Sequence, residues 1–72
     1  MKYVIILEPT SDGFSAYSPD LDGCVAAGED RDETVGLMKE AIEFHLEGLV
    51  GEGLSFPAPR SESGYVEIDP GT

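Results

Sequence analysis

The chain is poor in the residues that build staples, redox centres and metal sites. Its 72 residues include one cysteine, Cys24, one histidine, His45, and no tryptophan. A disulfide within the monomer is therefore excluded, and no Cys/His cluster exists from which a structural zinc site could be made. Basic residues are equally scarce: Lys2, Arg31, Lys39 and Arg60 stand against 15 acidic ones, for a formal net charge of −11. Direct nucleic-acid binding needs phosphate neutralisation, and four scattered cations offer no basic patch for it. Attraction to an anionic membrane is excluded on the same ground. The longest apolar run, Tyr3-Val4-Ile5-Ile6-Leu7, stops at Glu8-Pro9. It is too short for a secretory core, and nothing approaches the ~18 apolar residues of a membrane span. A soluble, cytoplasmic protein is expected, the lone thiol fitting a reducing compartment.

One domain, residues 1–72, fits this length. So small a chain buries only about 60% of the surface it exposes when unfolded, so its stability is marginal. With disulfide and zinc excluded, association is the remaining staple, and a homo-oligomer of at least two copies is expected. The acidic surface favours a basic partner through steering and complementarity, or serves only solubility.

Hydrophobic periodicity places the elements. Tyr3–Leu7 is β-branched and aromatic and reads as a strand. Ser11-Asp12-Gly13 is a turn with Gly13 placed for positive φ, and Phe14–Tyr17 completes a hairpin. Ser18–Gly23 is a loop with Pro19 and Gly23 as its punctuation, and Cys24–Gly28 is a third strand of small residues. Asp30 has the N-cap position of a helix, with Glu33 three residues on and Asp32 and Glu33 in the first turn. Val35, Met38, Ile42, Leu46 and Leu49 make one apolar stripe. Leu37, Ala41 and Phe44 adjoin it, which predicts a wide buried face. Gly36 inside the helix costs about 1 kcal/mol relative to Ala, so it either admits a close neighbour or is simply tolerated. Phe56–Pro59 is an extended connector, and Tyr65-Val66-Glu67-Ile68 reads as a fourth strand. The fold class is α+β in the order β-β-β-α-β: a three-stranded antiparallel sheet, one helix packed on it and a fourth strand. The first strand is apolar on both faces, whereas one helix covers only one. A second chain or the Pro-containing connector must cover the other.

Candidate chemistry is sparse, and no catalytic residue, metal ligand or cofactor is assigned. Asp20-Leu21-Asp22-Gly23 resembles part of a calcium loop, but the twelfth position holds Arg31 rather than the required Glu. Asp20 and Asp22 read as turn formers, or as exposed contact residues. His45 has no nucleophile at helical spacing beside it and reads as a packed histidine. Cys24 reads as a small buried hydrophobe.

The segments Tyr17-Ser18-Pro19-Asp20-Leu21-Asp22-Gly23-Cys24, Gly28-Glu29-Asp30, Glu33, Lys39-Glu40-Ala41-Ile42 and Pro57-Ala58-Pro59 resemble the HicB family, the antitoxins of HicA–HicB toxin–antitoxin modules. The opening strand and Tyr65–Ile68 extend the resemblance over nearly the whole chain. It implies a partial ribonuclease-H-like fold without nuclease activity, since the apolar stretch Val4–Ile6 offers none of the metal-holding carboxylates a nuclease needs. It also implies a small, basic, RNA-cleaving toxin (HicA-like) as partner, which suits the charge. Tyr17, Pro19, Asp20, Leu21 and Asp22 are then the expected partner-binding residues. Many family members carry a DNA-binding segment after this domain; the chain ends at Thr72, so no autorepression is expected of it. Two other readings compete: an oligomeric HicB-like adaptor or small-ligand-binding domain without a toxin, and a metal-dependent hydrolase using Asp20 and Asp22.

Overall fold

The computed structural model describes residues 1–71. Three strands, β1 (Ile6–Thr10), β2 (Gly13–Tyr17) and β3 (Val25–Gly28), form an antiparallel sheet in the order β1-β2-β3, and one helix, α1 (Arg31–Gly51), packs on it. The expected β-β-β-α order and antiparallel sheet are present.

The first strand lies further along than its apolar run suggests. Pairing begins at Ile6 and carries through Glu8 and Pro9 to Thr10, because the tight turn at Ser11-Asp12 sets Thr10 opposite Gly13. A proline is acceptable there because β1 is an edge strand. Tyr3 and Ile5, before the paired stretch, still pack against the core. Gly13 is required for a different reason than positive φ, which in this chain occurs only at Gly23 and Gly53 among the described residues. A Cβ at position 13 would collide with the Gly28 carbonyl oxygen.

The register sorts the sheet's two faces. Leu7, Ala16 and Ala26 form one row across the three strands, and this row faces the helix, since Ala16 is buried and packs in a cluster with Met38, Cys24 and Leu21. Ile6, Tyr17 and Val25 form the next row, on the opposite face. Tyr17 and Val25 are exposed there, so the second apolar face anticipated for the first strand exists.

Asp30 caps α1 in extended backbone, its Oδ1 accepting from the Glu33 N–H at 2.8 Å. The Thr34 hydroxyl donates to the Asp30 carbonyl at 2.7 Å, which satisfies a fully buried polar side chain at the helix start. The far end closes on Gly53 at φ 77°, with Leu54 N–H donating to the Leu49 carbonyl and Gly53 N–H to that of Val50. This is the Schellman pattern, so the helix runs past Gly48 and stops where a glycine permits left-handed backbone.

The buried face is narrower than the sequence implied. Met38 is wholly buried, and Ile42 and Leu46 pack partly against it. Phe44 is 79% exposed and Leu37 is also exposed. At 100° per residue, Phe44 lies about 120° around the helix from Met38, beyond the width that a three-stranded sheet can cover. Gly36 has open space around it, so no neighbour approaches the helix there.

The fourth strand is not formed within this chain. Residues 65–68 pair with nothing among the described residues, and Tyr65, Val66 and Ile68 stand in solvent. The chain after α1 is an extended tail, fastened to the body at a few points.

Candidate functional site

The loop between β2 and β3, Ser18 to Cys24, carries most of the expected contact residues. Two tight turns build it: Leu21 N–H donates to the Ser18 carbonyl and Cys24 N–H to that of Leu21, each at 3.3 Å. Gly23 at φ 82° makes the second turn possible. The Ser18 hydroxyl, buried, donates to the Val4 carbonyl at 2.9 Å and ties the loop's start to the first strand.

This geometry divides the five expected contact residues. Leu21 is 1% exposed and belongs to the core cluster with Ala16, Cys24 and Met38, so its side chain supports the loop from beneath. An apolar side chain between two acids at a turn folds inward because the core beneath the loop is the only apolar surface it can reach. Asp20 has an internal task instead of an outward one. One of its carboxylate oxygens accepts from the Arg60 N–H at 3.0 Å and the Ser61 N–H at 2.9 Å. The other accepts from the Ser61 hydroxyl at 2.8 Å. These bonds hold the carboxyl below its ordinary pKa, the Ser61 backbone N–H contributing most and the Ser61 hydroxyl next. Asp20 is thus a clamp joining the loop to a tail 40 residues further along the chain. Tyr17, Pro19 and Asp22 remain exposed.

The clamp also bears on metal chemistry. Asp20 and Asp22 border one shallow cleft with Pro19 and Arg60, and no group of three or more His, Cys, Asp or Glu among the described residues could hold a metal ion. Nothing in the sequence flagged the clamp, because two of its three donors are backbone amides, which almost any residue supplies, and the third is the hydroxyl of a serine 41 residues away.

A second feature lies on the β3 side of the helix. Gly23, Cys24, Ala41, Phe44, His45, Gly48 and Leu49 line an open cleft of about 470 Å³, with Glu52 at its rim. The fold brings the lone cysteine and the lone histidine to one cleft, which their separation in sequence concealed. Cys24 is buried, and that burial raises its thiol pKa. No Lys or Arg lines the cleft. No helix among the described residues is long and apolar enough to cross a membrane.

Comparison with known proteins agrees with the geometry. The family model described as the HicB-like antitoxin of bacterial toxin–antitoxin systems matches residues 3–69. A 14.9 kDa protein from the rep–hol intergenic region of Haemophilus phage HP1 is 35% identical over 66 residues, 92% of this chain and 50% of the relative. A UPF0150 protein of Helicobacter pylori is 37% identical over 51 residues, 71% of each chain. Among solved structures, a chain of the HicA3–HicB3 toxin–antitoxin complex superposes with a TM-score of 0.69 at 37% identity, covering 83% of this chain and 70% of that one. The antitoxin HicB3 superposes with a TM-score of 0.72 at 33% identity, covering 94% and 62% respectively. The chain therefore spans half the length of the phage relative and under two thirds of the HicB3 chain.

Proposed function

The chain belongs to the HicB-like antitoxin family of bacterial toxin–antitoxin systems, and we propose that it is a cytoplasmic, non-catalytic binding protein that sequesters a small, basic, RNA-cleaving toxin. The observation that carries this reading is the combined likeness in sequence and fold to a chain of a toxin–antitoxin complex, at 37% identity over most of this domain.

The charge distribution supports it. Asp22, Glu29, Asp32, Glu33 and Glu40 are all exposed on the loop, the β3–α1 connection and the helix. A net charge of −11 on so small a surface speeds encounter with a cationic protein and repels acidic competitors. Tyr17, Pro19 and Asp22 are the residues of the original five that stand free for such contact. Tyr17 adds an aromatic anchor of the kind that dominates interface energetics, and Asp22 adds a charge that steers.

The alternative, an adaptor or small-ligand-binding domain without a toxin, draws on the open cleft beside Cys24 and His45. A ribonuclease assay separates the two. With a purified HicA-type protein from the same genome cleaving RNA, stoichiometric addition of this protein stops cleavage under the first reading. Undiminished cleavage at a several-fold molar excess contradicts it.

A further inference from the structure

One flank of α1, beside the loop between β2 and β3, carries apolar side chains that the rest of the fold leaves uncovered. Leu37 and Phe44 are 38% and 79% exposed. At 100° per residue they share a strip with Ala41 and Gly48, which runs about 16 Å along the helix.

The strip has relief. Phe44 projects as a knob, and beside it the cleft of about 470 Å³ opens over Ala41 and Gly48, with the buried Cys24 in its wall. A Cβ at position 48 would meet nothing within 4 Å, so the hollow is open where the helix carries least side chain. A large exposed ring next to an unfilled hollow has the form of the apolar centre of an interface.

The rim has one sign. Glu40 and Glu47, both exposed, stand about 40° and 60° around the helix from Phe44, on its solvent side. Glu52 lies at the far end, and the exposed Asp22 precedes Gly23 on the loop side. Arg31, Lys39 and Arg60, three of the four basic side chains, line other clefts.

These charges choose among possible occupants. A second copy of this chain, at −11, and its own tail, with Glu62, Glu67 and Asp69, would both meet repulsion at this rim. The tail moreover lies elsewhere, since residues 62–65 line a cleft with residues 4–7 of the first strand. A cationic partner meets attraction instead.

We propose that this flank of α1 is the docking surface for the basic toxin. One apolar side chain of the toxin enters the hollow between Phe44 and Gly48, while its lysines and arginines meet Glu40, Glu47 and Asp22. The inference rests on the toxin reading and adds the seat to it. Asp22 belongs to both loop and rim, so the two form one continuous surface. Its parts act on different rates: the carboxylates steer encounter, and the apolar centre holds the formed complex.

Phe44→Ala removes the knob and Gly48→Leu fills the hollow, and neither alters the charge of −11. Both positions are exposed, so circular dichroism of the free variants should match the wild type. The probe is the immobilised HicA-type protein of the same genome, with association and dissociation recorded separately. Each variant should dissociate about tenfold faster, with its association rate and salt dependence unchanged. Glu40→Gln combined with Glu47→Gln should do the reverse, slowing association at low salt and leaving dissociation near wild type. Wild-type dissociation in either Phe44→Ala or Gly48→Leu overturns the inference and leaves the toxin reading standing. A folded wild type that does not bind the probe removes both. A wild-type dimer in light scattering that either variant converts to monomer also overturns the inference, because the flank would then join like chains.

Discussion

Replacing Met38 by Ala probes the centre of the fold. Met38 is 0% exposed and packs in one cluster with Ala16, with Leu7, Ala26, Ile42 and Leu46 partly buried against it. Burial of a Met side chain stabilises by about 1.5–3 kcal/mol, and an unfilled cavity adds to the loss, so truncation should cost roughly 2–5 kcal/mol. A chain of this size has a total stability on the order of 4–11 kcal/mol, from roughly 0.05–0.15 kcal/mol per residue. The substitution should therefore remove a large share of the stability. Each lost kcal/mol lowers the midpoint by about 4–8 °C in a domain this small, so a fall of more than about 8 °C is expected. The control is Phe44→Ala, a larger truncation at a position 79% exposed, which should change the midpoint little. Both variants are melted beside the wild type at one protein concentration, followed by far-ultraviolet circular dichroism. If Phe44→Ala costs as much as Met38→Ala, the helix is rotated from the orientation described, or a partner chain covers its flank.

Removing the N-cap by Asp30→Ala should cost about 1 kcal/mol in a urea melt, since the Glu33 N–H loses its acceptor; no measurable change would mean that water replaces the cap fully. The Asp20 clamp should titrate in acid. Its folded pKa lies below the ordinary 3.8, so its contribution is complete above that value and is lost as the pH falls through the depressed one. Protection of the Ser61 amide, measured relative to its intrinsic exchange at each pH, should be lost only below about pH 3.8 for this reason. Asp20→Asn should lose that protection at neutral pH, and an Asn variant with wild-type protection would show that the clamp does not hold the tail.

Most of the framework was legible because its signals are local. The cap at Asp30, the small residues of Val25–Gly28 and the spacing from Val35 to Leu46 each name their element without help from distant residues. The segments Tyr17–Cys24 and Pro57–Pro59 carried the family resemblance that the comparisons bear out. The misreadings have a common physical origin, which is that they depend on what lies across space. Phe44 looked like core because periodicity reports a stripe but not the width of the surface beneath it. Asp20 looked free because its acceptors' donors lie 40 and 41 residues away. Tyr65–Ile68 has strand propensity, yet propensity does not say which edge, or whose, would receive it.

If this acidic domain binds a basic toxin, as proposed, the association is fast and electrostatically steered. The immobilised HicA-type protein of the same genome is exposed to this protein at low and at near-physiological salt, with Asp22→Asn alongside. A stable complex is expected whose association rate falls steeply as salt rises, with a variant that associates more slowly at low salt while keeping its fold. No complex at tens of micromolar in low salt, with both proteins folded, would contradict it.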